Sequence, residues 1–314
     1  MKIGVVGCGQ VGSASAYACV MRGVGTELVL VDQNPAFAAA QAEDILHATP
    51  FAAPVAVRSG GYEYLDGAAV VMIAAGVSQK PGETRLDLLK RNAAVFEDII
   101  PKILSAAPQA VLLVATNPVD VMTHMASEIA KRSHNVSFNR VIGSGTILDT
   151  ARFRTLVGKH LGVSSHSVHG YVLGEHGDSE VLHWSGISIG NLPLTAFAAQ
   201  IGAAVTSEIR RQIDDGVRNA AYRIIEGKGA TWYGIGAGMA RIAAAIQKNE
   251  HAVLTCATRM AEAEGVTDVT LSMPQIIAAG GIEKTMFPLL DREETAALKK
   301  SATVIKEAIT GVMT

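Results

Sequence analysis

Four short apolar runs, each followed by a helical stretch, fill the first half of the chain: IGVV then 11–23, ELVLV then 35–47, AVVMIAA then 84–106, and AVLLVAT then 118–131. That alternation is the pattern of strands joined by crossover helices, and so of a parallel, doubly wound α/β sheet. The runs AVVMIAA and AVLLVAT are apolar almost throughout, which suits strands covered on both faces, because neither side of such a strand meets water. A Rossmann-type sheet is therefore expected over residues 1–144.

From about residue 145 the order changes. A helix is predicted at 146–161, followed by the strand-like runs SVHGYVL and SGISIG, a long helical stretch over about 195–226, and a further helix after GATWYGIG. Runs near 252–260, 266–272 and 275–283, broken at Gly280-Gly281, read as antiparallel strands joined by turns. The last helix is expected to begin at Asp291, with Glu294 three residues on completing a capping box. These features predict a mixed α+β substrate domain over 145–314.

A chain of 314 residues has room for one or two domains. With 49% hydrophobic and 18% charged residues it has the make-up of a packed globular protein. A formal charge of -2 offers no basic field for nucleic acid and no polybasic face for anionic lipid, so neither is an expected partner. Cys8, Cys19 and Cys256 are far apart and form no CxxC pair, which argues against a disulfide framework or a zinc site and for a reducing, cytoplasmic location. The start, MKIGVVGCGQVG, reads as a first strand rather than a signal core, and the apolar runs at 69–77 and 110–115 are too short to span a bilayer.

Gly7-Cys8-Gly9-Gln10-Val11-Gly12 directly follows the first run and opens the first helix, which is the context that gives a G-x-G-x-x-G pattern its meaning. Gly7 permits a tight turn, Gly9 lets backbone approach a pyrophosphate, and Gly12 allows close packing, with Val11 between them at the helix start. Asp32 ends the second run twenty residues after Gly12, where a carboxylate can accept from ribose hydroxyls. Gln33, Asn34 and Pro35 follow it, so no arginine waits for a 2'-phosphate and NAD is expected over NADP.

Candidates for chemistry lie further on. His176 stands in Gly174-Glu175-His176-Gly177-Asp178-Ser179, just after an apolar run, where a ring can face a cleft and act as acid or base. Asp149 and Arg152 share one face of the helix predicted over 146–161. On spacing alone an ordinary exposed ion pair is favoured over a catalytic role.

The segments GCGQVG, AGVSQKPGETRLDLLKRN, VATNPVDV, GSGTILDTARFR, GEHGDSEV and KGATWYGIG together resemble the L-lactate branch of the lactate/malate dehydrogenase family, over nearly the full length. The resemblance implies an NAD-dependent dehydrogenase in which His176 is the proton donor and acceptor, Asp149 orients it, and Arg152 grips the substrate carboxylate. It implies that Arg85, in the loop 77–90, polarises the carbonyl from a closing lid, that Asn117 contacts substrate and nicotinamide, and that Ile235 lies beneath the nicotinamide ring. No metal is expected, since arginine and histidine give the electrophilic help.

Substrate choice turns on Gln79, where malate enzymes of the family carry an arginine for the second carboxylate. A neutral amide leaves that carboxylate without a counter-ion, and Thr231 matches the lactate-type residue on the opposite wall, so pyruvate and L-lactate are the expected pair. Malate or a longer 2-hydroxy acid is the alternative, with a non-catalytic NAD-binding sensor as the reading from another class. The resemblance further implies a cytoplasmic homotetramer of glycolysis and fermentation, activated by fructose 1,6-bisphosphate at the cationic pair Arg154 and His169.

Overall fold

The computed structural model describes residues 1–77 and 82–313. Its first half alternates β1 (Lys2–Val6), α1 (Gln10–Arg22), β2 (Glu27–Val31), α2 (Pro35–Ala48), β3 (Ala56–Ser59), β4 (Ala68–Ile73), α3 (Arg85–Ala106), β5 (Val111–Val114), α4 (Val119–His134) and β6 (Val141–Gly143). These strands are parallel and lie in the order β3-β2-β1-β4-β5-β6. The order reverses between β1 and β4, and a crevice opens at the carboxyl ends of the strands at such a point. Two strands, β3 and β6, were not expected from the sequence; the first carries Arg58 and an exposed face, and the second is only three residues long.

Side chains alternate between the two faces as the strand period of two requires. Val29 and Val31 of β2 join Phe96, Ile100 and Leu104 of α3 and Met122 of α4 in one buried cluster. Leu28 and Leu30 join Cys19 and Val20 of α1 and Ala42 and Ile45 of α2 in the other.

The second half comprises α5 (Ile147–Leu161), β7 (Val168–His169), β8 (Val172–Leu173), β9 (Val181–Leu182), β10 (Ser188–Ile189), β11 (Leu192–Pro193), α6 (Leu194–Ile201), α7 (Ser207–Arg218), α8 (Ala220–Lys228), α9 (Tyr233–Gln247), β12 (Ala252–Ala263), β13 (Val266–Ala278), β14 (Gly281–Thr285) and α10 (Arg292–Met313). The stretch 195–226 is thus three helices, not one. Gly202 ends the first in the left-handed conformation, and the Thr206 hydroxyl caps the second. The break expected at Gly280-Gly281 separates β13 from β14, but the runs 266–272 and 275–283 are otherwise differently divided: β13 passes unbroken through Pro274, whose carbonyl accepts from Met286 N.

Strands β12, β13 and β14 do not form a separate sheet. Ala257 of β12 pairs antiparallel with Gly143 of β6, so that among the described residues one nine-stranded sheet runs through both halves. Helix α9 also crosses over, placing Met239, Ile242 and Ile246 in the cluster that covers β1 and β2. No helix is long and apolar enough to cross a membrane among the described residues.

The expected capping box at the last helix is present: Glu294 N donates to Asp291 Oδ1 at 2.8 Å, and Asp291 N donates to Glu294 Oε2 at 3.1 Å. Asp291→Ala is predicted to lower stability by ~1 kcal/mol, read as a fall in denaturant midpoint with unchanged slope.

Candidate active site

The glycine loop at the carboxyl end of β1 is shaped by close contacts. Gly7 has φ +91° and would, with a Cβ, run into the backbone of Ala75 on the neighbouring strand end. A Cβ on Gly12 would strike the Gly7 carbonyl oxygen, whereas one on Gly9 would meet nothing within 4 Å. Gly9 is exposed and forms the N-cap of α1 without any side-chain cap, so the free amides of the helix face open space. This cradle suits a pyrophosphate. Val11 is partly buried in the first turn.

Asp32 stands beside the loop at the end of β2. Its Oδ2 accepts from Cys8 N at 2.8 Å and its Oδ1 from Asn34 N at 3.0 Å, so the carboxylate braces the loop while staying partly exposed. Each oxygen keeps a further lone pair for a ribose hydroxyl. The residues present therefore fit a dinucleotide.

Helix α9 rests on α1 where Gly236 lies against the Ala14 backbone, and on α5 where Gly234 lies against Leu148. Partly buried Ile235 lies between these two glycines in the first turn of α9, and Thr231, also partly buried, stands in the segment just before that helix. Asn117 is exposed at the carboxyl end of β5, just before the cap of α4.

Asp149, Arg152 and His176 form an ion-paired array on α5 and the turn after β8. Asp149 is 2% exposed; its Oδ1 accepts from Arg152 Nη1 at 2.7 Å, and its Oδ2 holds His176 Nδ1 at 2.6 Å. The exposed ion pair that spacing favoured is thus excluded for Asp149. Nδ1 is committed to the carboxylate, and Nε2 is the ring nitrogen left for a proton-transfer partner. Arg152 uses one nitrogen on Asp149 and stays partly exposed, with the rest of its guanidinium fork available.

Electrostatics follow from this geometry. Burial opposes charge on the His176 ring, but Asp149, helped by Asp120 and Glu180, raises its pKa to about 9. Burial would push Asp149 up as well, and the charges and hydrogen bonds of His176 and Arg152 outweigh it to hold the carboxyl below its ordinary range. Two further carboxyls lie near. Burial raises Asp120 to about 7 and Glu180 to about 8. Neither was singled out from the sequence, although Asp120 belongs to VATNPVDV and Glu180 to GEHGDSEV; nothing in the linear order of these residues signals that they surround His176.

Gln79 lies outside the described residues, as does the side chain of Arg85, whose backbone opens α3. Arg154 and His169 are not among the hydrogen-bond partners of the ion-paired array. Arg154 Nε donates to the Gly170 carbonyl at 2.8 Å, and its guanidinium lies over the Tyr171 ring. His169 is exposed on β7, one residue from that carbonyl, with no hydrogen bond to Arg154.

Two family models span the chain: lactate/malate dehydrogenase, NAD binding domain, matches residues 1–143, and lactate/malate dehydrogenase, alpha/beta C-terminal domain, matches residues 146–314. The chain belongs to the lactate/malate dehydrogenase family. It is 60% identical over 308 residues to the L-lactate dehydrogenase of Thermus aquaticus, covering 98% of each chain. To that of Allorhizobium ampelinum it is 56% identical over 307 residues, again covering 98% of each. Among solved structures, a lactate dehydrogenase from a Medee basin deep-sea metagenome library is similar at TM-score 0.94 and 37% identity, covering 100% of this chain and 99% of that one. The minor L-lactate dehydrogenase of Enterococcus mundtii, in a ligand-bound form, is similar at TM-score 0.94 and 38% identity, covering 99% and 98%. The chain is accordingly an NAD-dependent dehydrogenase of this family.

Two outcomes are expected at this site. Asp149→Asn keeps the shape of the carboxylate but removes its charge, so the His176 pKa should fall from about 9 to ~7 or lower, as followed by its ring resonances. A midpoint left near 9 would mean that Asp149 does not hold the ring's charge. Gly12→Ala should weaken NAD binding by more than ~10-fold in a calorimetric titration, because the glycine loop must shift to admit the methyl group.

Proposed function

We propose that the protein interconverts pyruvate and L-lactate, with His176 as the acid and base. The observation that carries this reading is the buried carboxylate of Asp149, which holds His176 and Arg152 at once, so that a proton donor and a carboxylate-binding cation are presented from one fixed point. NAD, when bound along the glycine loop, supplies or accepts the hydride.

During reduction, His176 gives the proton on Nε2 to the carbonyl oxygen, and Asp149 stabilises the imidazolium beforehand through Nδ1. Arg152 pairs with the substrate carboxylate through its remaining donors, a task that a lysine performs poorly because it lacks the planar fork. Asn117 and Ile235 would help to hold the nicotinamide, Asn117 would also contact the reacting carbonyl, and Arg85 would polarise that carbonyl and exclude water. Gln79 and Thr231 are assigned to the substrate's variable end by the motif resemblance, and neither is a residue type that provides the charge a second carboxylate needs.

The sign of the pH dependence follows from His176. Pyruvate reduction needs its charged form, so the rate should hold at neutral pH and fall as pH rises through about 9. Lactate oxidation needs the neutral form and should gain over the same interval.

Fructose 1,6-bisphosphate is proposed as an activator bound through Arg154 and His169 of neighbouring subunits in a cytoplasmic homotetramer serving glycolysis and fermentation. In support, Arg22, Arg154, His166 and Arg241 line a cavity of about 520 Å³ whose lining includes no carboxylate, although His169 lies outside it. Tyr17 and Met21 of α1 and Leu46 of α2 leave apolar surface exposed for subunit contact.

The deciding experiment is NADH oxidation with pyruvate and with oxaloacetate, each with and without fructose 1,6-bisphosphate. Preference for pyruvate is expected, together with a rise in rate on adding the bisphosphate. His176→Gln should lower kcat by roughly 10²- to 10⁴-fold. Preference for oxaloacetate would reassign the substrate, and oxidation of neither would favour a longer keto acid or a sensor.

A further inference from the structure

The turn that carries His176 is anchored by three backbone amides, each held by a different element. Gly174 N donates to the Ser272 carbonyl of β13 at 2.9 Å, and Glu175 N donates to Ser301 Oγ of α10 at 2.8 Å. His176 N itself donates to Asp120 Oδ2 at 2.8 Å. Asp120 lies in the first turn of α4, three residues after Asn117, so the acid/base residue is tied to the segment that ends β5.

The choice of an acid at position 120 is informative. One amide donor needs only one acceptor, and an asparagine or threonine would provide it. Asp120 is 3% exposed, and its Oδ1 is buried without a hydrogen-bond partner among the described residues. Enclosing a carboxylate with one oxygen unmatched is costly, more so with Asp149 and Glu175 raising its pKa further. A chain that keeps an acid there gains something that a neutral acceptor does not give.

We infer that Asp120 is a positioning residue for His176: its carboxylate fixes the backbone of the acid/base residue against α4, while Asp149 holds the ring itself. The inference rests on the assignment of His176 as the acid and base. Asp120 touches neither substrate nor cofactor in this role. It sets where the imidazole stands and how firmly the ring keeps its proton.

The groups that bear on the ring are few. Asp149 acts directly, Asp120 and Glu180 act through space, and all three raise the His176 pKa. Glu175 faces Asp120, and Arg152 and Arg218 face Glu180 with the opposite sign. Removing the Asp120 charge therefore leaves Asp149 in place and should move the ring's titration partway down.

The test uses the full chain with Asp120→Asn and Asp120→Ala, read by the His176 ring titration in cofactor-free protein and by pyruvate reduction across pH. The asparagine keeps an acceptor for the amide, so its kcat at low pH should stay within about threefold of the parent. Its ring midpoint, and with it the alkaline limb of reduction, should fall by roughly half to one pH unit. The alanine loses anchor and charge together, and kcat should drop ~10- to 100-fold while KM for pyruvate changes less than ~3-fold. Rescue by asparagine at low pH separates positioning from general damage to the fold.

An unmoved ring midpoint in Asp120→Asn, or an alanine variant altered only in KM, would overturn the inference. Should the alanine variant fail to fold, the asparagine titration still decides it. His176→Gln is the separate control: full activity in that variant would remove the acid/base assignment, whereas the ring titration of the Asp120 variants would still report whether Asp120 acts on the ring.

Discussion

The Asp149 carboxylate is the point on which the candidate site depends. It is buried, and it remains charged because each of its oxygens meets a positive or chargeable partner, Arg152 on one side and His176 on the other. An uncompensated carboxylate at that depth would neutralise itself by taking a proton. Both partners are therefore conditions for the charge as well as beneficiaries of it. Helix α5 makes this possible by presenting Asp149 and Arg152 one turn apart, with Asp149 in the first turn, where the free amide end of the helix favours negative charge.

The rest of the fold brings His176 to that carboxylate. The ring comes from a turn 27 residues further along the chain, held by β13, α10 and α4. The cofactor loop comes from β1, and α9 links the two through close approaches to α1 and α5. Hydride chemistry needs such a fixed array because a displacement of about 1 Å between reacting groups can cost ~10²-fold in rate. The contacts around α9 are made through glycine, whose missing side chain permits helices to meet nearly backbone to backbone.

Much of this was legible in the sequence because continuous apolar strands and a glycine loop between strand and helix leave strong local marks. The expected Rossmann order and the glycine loop with Asp32 follow directly from such marks. What was not legible depends on pairing across distance. Strand β6 is three residues long and carries no period to read; it is a strand because β5 and β12 lie beside it. Pro274 reads as a strand breaker, yet β13 continues through it, pairing Pro274 with Thr255 across the ladder. His176 and Asp149 are legible as a candidate pair, because a histidine acting as acid or base calls for a carboxylate that holds its tautomer, and the motif resemblance adds their roles. Asp120 and Glu180 sit inside the same quoted motifs and went unassigned, since no spacing rule reports that two remote acids enclose one ring.

The joining of β12 to β6 has a bearing on how the chain is made. A nascent first half can assemble all six parallel strands of the central sheet, but the outer side of β6 waits for a strand that leaves the ribosome more than a hundred residues later. Until then one border of the sheet has no covering strand, the kind of border along which unfinished proteins adhere to one another. At three residues, β6 offers a visiting strand little to grip. Its shortness, which hides it in the sequence, also guards the half-built molecule.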